Sequence, residues 1–159
     1  KPTDDEDATF LIELLNSPKW IQHIGDRNVK TLDDAKAYIA QKVSPQFQKL
    51  GFGNYTVIRK SDSVKVGTCG LYDREGIDGI DMGFAFLPQF EKMGYAFESA
   101  NHLKTMAFEQ FKIIGLSAIT IKENTDSQQL IKKLGFKFIQ IINIPNDGED
   151  LLLYHINLV

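Results

Sequence analysis

Gly94, Tyr95 and Ala96 open a long amphipathic stretch, just after an apolar run that ends at Pro88. The first N–H groups of a helix have no partner within it and together carry about half a positive charge, so a helix opening at Gly94 faces an anion such as phosphate. Glycine at the entry lets a ligand come close to the backbone where a side chain would stand in the way. The run before it, Ile80 to Leu87, ends beside this helix start and would offer free amides to an extended polar arm. Taken together, Asp81 to Ala96 suit a ligand with both a phosphate and such an arm. A glycine between loop and helix is at least as often a plain cap.

The other chemistry-bearing residue types form no competing constellation. His23, His102 and His155 lie far apart and show no metal-ligand spacing, so no metal is expected. Cys69 stands among alternating strand residues without a basic neighbour, which fits a buried, inert thiol better than a nucleophile. Asn124, Thr125 and Ser127 suit a helix N-terminus, where such residues cap without any catalysis. Glu98 falls in the first turn after Gly94, where an acid favours the helix dipole and needs no further purpose. There is no Gly-x-Ser-x-Gly, Walker loop or Cys-x-x-Cys.

The elements around these residues follow from periodicity. Thr3-Asp4-Asp5-Glu6 has the form of a capping box and predicts a helix carrying Ala8, Leu11 and Leu15 on one face, stopped at Asn16-Ser17-Pro18. A short helical piece is expected from Ser17 to Gly25. A further helix starts at Thr31 and either ends near Val43 or restarts with Ser44 as cap, because Pro45 removes an N–H. The period then changes to two. Asn54 to Arg59, Val64 to Leu71 and Ile80 to Leu87 read as three consecutive strands. After the Gly94 helix come a strand at Leu116 to Lys122, a helix from Asn124 to Leu134 stopped by Gly135, and strands at Phe136 to Ile144 and Leu151 to Leu158. A strand meander followed by strand-helix-strand predicts an α+β domain with a mixed sheet.

The 159 residues are 43% hydrophobic and 25% charged, which is ordinary for a folded protein and predicts one domain spanning 1–159. A net charge of −3 gives no footprint for nucleic acid, and no apolar run is long enough to predict a membrane span. The single cysteine cannot form an internal disulfide, which favours a reducing compartment and a cytoplasmic location.

Asn124, Ser127, Leu134, Gly135 and Phe136 stand as N-x-x-S-x-x-L-I-x-K-L-G-F. With Gly94-Tyr95-Ala96 and the GFAF run before it, this pattern resembles the GNAT superfamily of acetyl-coenzyme A dependent N-acetyltransferases. It is most similar to the branch that includes the ribosomal-protein-alanine acetyltransferases. Trp20 with Ile24-Gly25-Asp26, and Gly67 to Leu71, look like the same branch. The resemblance covers nearly the whole chain. It implies a mixed, mostly antiparallel central sheet with helices on both faces, splayed between the fourth and fifth strands of the family fold, here Ile80 to Leu87 and Leu116 to Lys122.

By that resemblance Phe84, Ala85 and Phe86 bond the pantetheine arm through their backbones, and an N–H there stabilises the oxyanion that forms during acyl transfer. Glu91, Lys92, Met93, Gly94, Tyr95 and Ala96 hold the pyrophosphate. Asn124 touches the arm, and Ser127 lies near the sulfur as a candidate acid. Asp81 resembles an acidic position of the branch and is the candidate base or water relay; the plain alternative is a solvent-facing strand residue. The chain departs from the family's Gln/Arg-x-x-Gly-x-Gly/Ala pattern at its first position, Glu91. Where the branch often has glycine, it has Lys92. Lys92 is expected to offset the repulsion between Glu91 and a pyrophosphate.

The family usually begins with a strand before the first helix, and this chain enters almost at the helix cap. That predicts an absent first strand and an unpaired sheet edge, which a partner chain could cover, leaving a homodimer open. The implied function is acetyl transfer from acetyl-coenzyme A to a primary amine by direct attack in a ternary complex. The amine is a protein N-terminus or a small molecule, and the acceptor side lies around Trp20 to Asn28 and Val43 to Gly53. The rival is a non-enzymatic module that binds acyl-coenzyme A as a sensor or partner domain.

Overall fold

A computed structural model describes all residues 1–159. Six strands form one sheet: β1 (Asn54–Ile58), β2 (Lys65–Asp73), β3 (Ile80–Phe86), β4 (Gly115–Ile121), β5 (Lys137–Ile142) and β6 (Leu151–Asn157). Their order is β1-β2-β3-β4-β6-β5. The pairs β1/β2, β4/β6 and β5/β6 are antiparallel, and β3/β4 is parallel. With helices α1 (Ala8–Leu15), α2 (Pro18–His23), α3 (Leu32–Tyr38), α4 (Ser44–Leu50), α5 (Tyr95–Glu109) and α6 (Thr125–Lys133), this is the mixed, mostly antiparallel α+β architecture expected. No helix is long and apolar enough to cross a membrane.

The chain divides into two compact units, each made of separate segments. The first holds Lys1–Gly70 with Phe84–Ala96, and the second holds Leu71–Gly83 with Phe97–Val159. In the first unit, Phe10, Leu11, Leu14 and Leu15 of α1 are buried with Ala35, Ile39 and Leu87. Each such large side chain contributes about 1.5–3 kcal/mol by leaving water. In the second, the face of α5 predicted from its 3.6 period is buried at Ala100, Leu103 and Ala107. Leu116, Ala118 and Tyr154 are buried in the sheet of that unit.

Three local expectations are corrected. The capping box forms at Asp4 and not Thr3, on a 3-10 turn, Asp5–Asp7, that leads into α1: Asp4 accepts from the Glu6 N–H, and the Asp4 N–H donates to Asp7. Thr3 is drawn instead to the sheet, where its hydroxyl lies 2.9 Å from that of Thr56. The capping box at Thr31 forms as predicted, with Asp34 reciprocating. At Pro45 the helix neither ends nor restarts on a Ser44 cap. It widens into one π-turn at Ile39–Val43 and runs on into α4, where Pro45 stands in the first turn, a position at which a missing N–H is tolerated. Finally, the outer edge of β1 is not bare. Pro2 bridges Tyr55, and the Thr3 and Thr56 N–H groups donate to Asn54 and Lys1 carbonyls at 3.0 and 2.8 Å.

The parallel ladder between β3 and β4 holds two pairs only, Ile80↔Leu116 and Asp81↔Ser117. By contrast β4 is paired with β6 along its whole length.

Candidate functional site

The sequence-predicted residues fall in both units. Phe84, Ala85, Phe86 and Glu91 to Ala96 belong to the first, and Asp81, Asn124 and Ser127 to the second.

In the first unit, β3 continues into Leu87, whose N–H donates to the Val66 carbonyl at 3.0 Å. Phe86 packs closely against β2 at Gly67, which has no side chain. A Cβ at Gly67 would stand 2.4 Å from the Phe86 ring and 2.5 Å from the Ala85 carbonyl oxygen. Pro88 then opens one 3-10 turn, Pro88–Phe90, and the loop to α5 follows. Lys92 and Gly94 both take left-handed φ, +58° and +86°, on either side of the exposed Met93. Gly94 is required there by its backbone and not by crowding, since a Cβ would meet nothing within 4 Å. A side chain at Gly94 would thus project into open space at the start of a 15-residue helix.

The charge of Glu91 is neutralised, though by a different residue from the one predicted. Lys19 of α2 reaches its carboxylate at 2.5 Å, while Lys92 is exposed and forms no ion pair. Sequence spacing does not show a pair 72 positions apart. Arg59 was also missed. It follows β1, and its guanidinium is 5.1 Å from the centre of the Phe90 ring and 3.3 Å from the Tyr95 hydroxyl. In the sequence it is one alternating strand residue among several.

In the second unit Asp81 is buried, 1% exposed, and the solvent-facing alternative is overturned. Its two oxygens accept from Arg74, at 3.1 Å to Nε and 3.3 Å to Nη2. Burial pushes the Asp81 carboxyl up, and Arg74 only partly pulls it back. Burial works against the charge of Arg74, but the attraction and hydrogen bonds of Asp81, with Tyr72 and Asp147 behind them, together outweigh it and raise its pKa. The guanidinium also lies 5.5 Å from the centre of the Tyr72 ring. The register partner of Asp81, Ser117, is buried as well, and its hydroxyl lies 3.2 Å from Nδ1 of His155.

Asn124 caps α6 with its side chain, accepting from the Ser127 N–H at 3.2 Å, so the plain reading of Asn124 holds in this geometry. Its amide NH2 is left to donate elsewhere. The half-buried Ser127 hydroxyl takes no part in the cap and makes no hydrogen bond. Cys69 is buried, as expected, and His155 is half-buried. No three His, Cys, Asp or Glu side chains gather in a metal-binding group.

A family model described as an acetyltransferase (GNAT) domain matches residues 1–137. An uncharacterized N-acetyltransferase of Bacillus subtilis (strain 168), YnaD, is 26% identical over 109 residues, 69% of this chain and 61% of that protein. The matched stretch is thus less than two thirds of the relative's length. Among solved structures, a GNAT-family acetyltransferase from Bacillus anthracis superimposes with a TM-score of 0.80 at 22% identity, over 99% of this chain and 92% of that one. RimL, a ribosomal L7/L12 alpha-N-protein acetyltransferase in complex with coenzyme A, gives 0.81 at 15% identity, over 99% and 92%. At these identities the structural likeness is one of fold.

Proposed function

The chain belongs to the GNAT acetyltransferase family, and from that premise we propose that it moves an acetyl group from acetyl-coenzyme A to a primary amine within a ternary complex. The observation that carries the reading is Gly94: a left-handed glycine with open space above it, at the head of a 15-residue helix. A diphosphate fits such a cradle, because backbone N–H groups and the helix dipole meet it with no side chain between. Glu91 does not repel it, since Lys19 already holds that carboxylate.

Glu91, Lys92, Met93, Gly94, Tyr95 and Ala96 would hold the phosphates, chiefly through main-chain N–H groups. Phe84, Ala85 and Phe86 would hold the arm by main-chain bonds beyond the two-pair β3/β4 ladder, and Asn124 would donate its free amide to the arm. Bound acetyl-coenzyme A supplies the activated acyl group and a thiolate leaving group. Ser127, whose hydroxyl has no other partner, would protonate that thiolate. Asp81 would accept the proton of the attacking ammonium or amine, directly or through one water.

The acceptor is a protein N-terminus or a small-molecule amine. The first is favoured by the similarity in fold to RimL, which is a protein α-N-acetyltransferase by name. The rival is a binding module without turnover; the misfit of Glu91 in the phosphate loop, which would speak for it, is offset by Lys19. Thermal melting tests the coenzyme half of the proposal: coenzyme A should raise the midpoint, increasingly with its concentration, while ATP at equal concentration does not. An equal shift with both, or none with coenzyme A, would remove it.

A further inference from the structure

We propose that Arg59 is a positioning residue for the phosphate-binding loop, gripping Phe90 at one end of it and Tyr95 at the other. The inference rests on the coenzyme reading above and adds to it a residue from outside the loop.

The position of Arg59 is fixed by its backbone before its side chain is considered. Its N–H donates to the Val64 carbonyl at 2.8 Å, and the Ser63 N–H returns to the Arg59 carbonyl at 2.9 Å, closing the hairpin between β1 and β2. Asp62 in that hairpin then takes Nε at 2.9 Å and Nη2 at 2.6 Å. Such a fork sets the plane of the guanidinium, as a single ammonium could not. So aimed, its centre lies 5.1 Å from the Phe90 ring, within cation–π range, while Nη1 donates to the Tyr95 hydroxyl at 3.3 Å. Phe90 and Tyr95 bracket residues 91–94, so one side chain holds both ends of the loop.

The loop needs holding. Two of its four residues sit in the left-handed region, and Lys92 does so at a cost of about 1 kcal/mol. Residues 92–94 are exposed, so core packing does not fix them. The fork and the tyrosine contact use three of the five N–H groups of Arg59, leaving one on each terminal nitrogen beside the loop. Asp62 already offsets its positive charge, so Arg59 acts on a diphosphate through the loop that it holds.

The test is to compare wild type with Arg59→Ala, Arg59→Lys and Tyr95→Phe by titration calorimetry with coenzyme A, steady-state kinetics and melting. Arg59→Ala should weaken coenzyme A binding about tenfold, because the loop must then be ordered by the ligand itself. The acetyl-coenzyme A KM should rise more than kcat falls, with the amine KM little moved. Arg59→Lys should fail to restore affinity because it lacks the fork, and Tyr95→Phe should show a smaller part of the loss. A hairpin brace with no role in the site predicts a lower melting point and unchanged coenzyme affinity, which would overturn the proposal; the milder Arg59→Lys and Tyr95→Phe variants keep the comparison open if Arg59→Ala folds poorly. Wild type that does not bind coenzyme A removes the coenzyme reading and this role with it. Wild type that binds, with Arg59→Ala binding equally well, removes the role of Arg59 alone.

Discussion

The carboxylate of Asp81 is held by Arg74 through both oxygens, at 3.1 and 3.3 Å, at the last pair of the two-pair β3/β4 ladder. A buried carboxylate is costly unless paired, and here the pair also keeps it poised: burial raises its pKa and Arg74 limits the rise. If Asp81 is the base, the rate climbs with pH as its raised carboxyl loses its proton. Arg74→Gln removes the restraint, so this limb should move to higher pH. Asp81→Asn should abolish the limb and lower kcat by about 100-fold or more. An unchanged pH–rate profile in Asp81→Asn would remove the base assignment. The stability sign is separate: a raised carboxyl favours folding at low pH, and that contribution is lost as pH rises through the folded value.

Gly94→Asp places a side chain and a negative charge in the open space at the head of α5. Coenzyme A affinity should fall at least tenfold, roughly the effect of an added like charge near a protein surface. Gly94→Ala should cost about 1 kcal/mol of stability from its φ of +86° alone, since no atom within 4 Å resists the new Cβ. Calorimetry and melting separate the two effects. Undiminished affinity in Gly94→Asp would contradict the phosphate assignment of the loop.

Asn124 and Ser127 should come apart under mutation. Asn124→Ala deletes the cap of α6 and should destabilise the protein by about 1 kcal/mol. Ser127→Ala deletes a hydroxyl that bonds to nothing, so the melting point should hold while kcat falls more than coenzyme binding weakens. If Ser127→Ala instead melts early and turns over normally, Ser127 is structural.

The buried Asp7 makes part of the first unit's stability sensitive to acid. Burial opposes its charge, but Lys65, the Asp4 N–H, Lys1 and Thr56 outweigh that and bring its pKa to about 2. Lys65 Nζ lies 2.7 Å from it, and the Thr56 hydroxyl donates at 2.9 Å. A lowered carboxyl gives stability that is present above the ordinary carboxylate range and lost as pH falls toward 2. Asp7→Asn should cost about 3 kcal/mol at neutral pH and flatten the acid limb of a stability curve. A wild-type limb retained by the variant would contradict this.

Much of the scaffold was legible because each element carries its own local signal. The alternation of Tyr55 to Arg59, the apolar stripe of α5 and the glycine stop at Gly135 each fix an element without knowledge of the rest. At Thr3-Asp4 two good capping residues stand side by side, and only the pull of Thr56 on Thr3 decides between them. The electrostatics of the site were not legible. Lys19 with Glu91 and Arg59 with Tyr95 join positions that only the fold brings together. Asp81 and Arg74 are seven apart, yet the burial that gives the pair its meaning comes from the sheet.

The most direct test of acetyl transfer is thiol release from acetyl-coenzyme A by the purified protein across a panel of amines that includes peptides with free N-termini and polyamines. At least one amine should raise release well above background hydrolysis, with an acetylated amine of matching mass formed in equal amount. Tight coenzyme A binding with no amine raising release above background would contradict the transferase account and leave a coenzyme-binding module in its place.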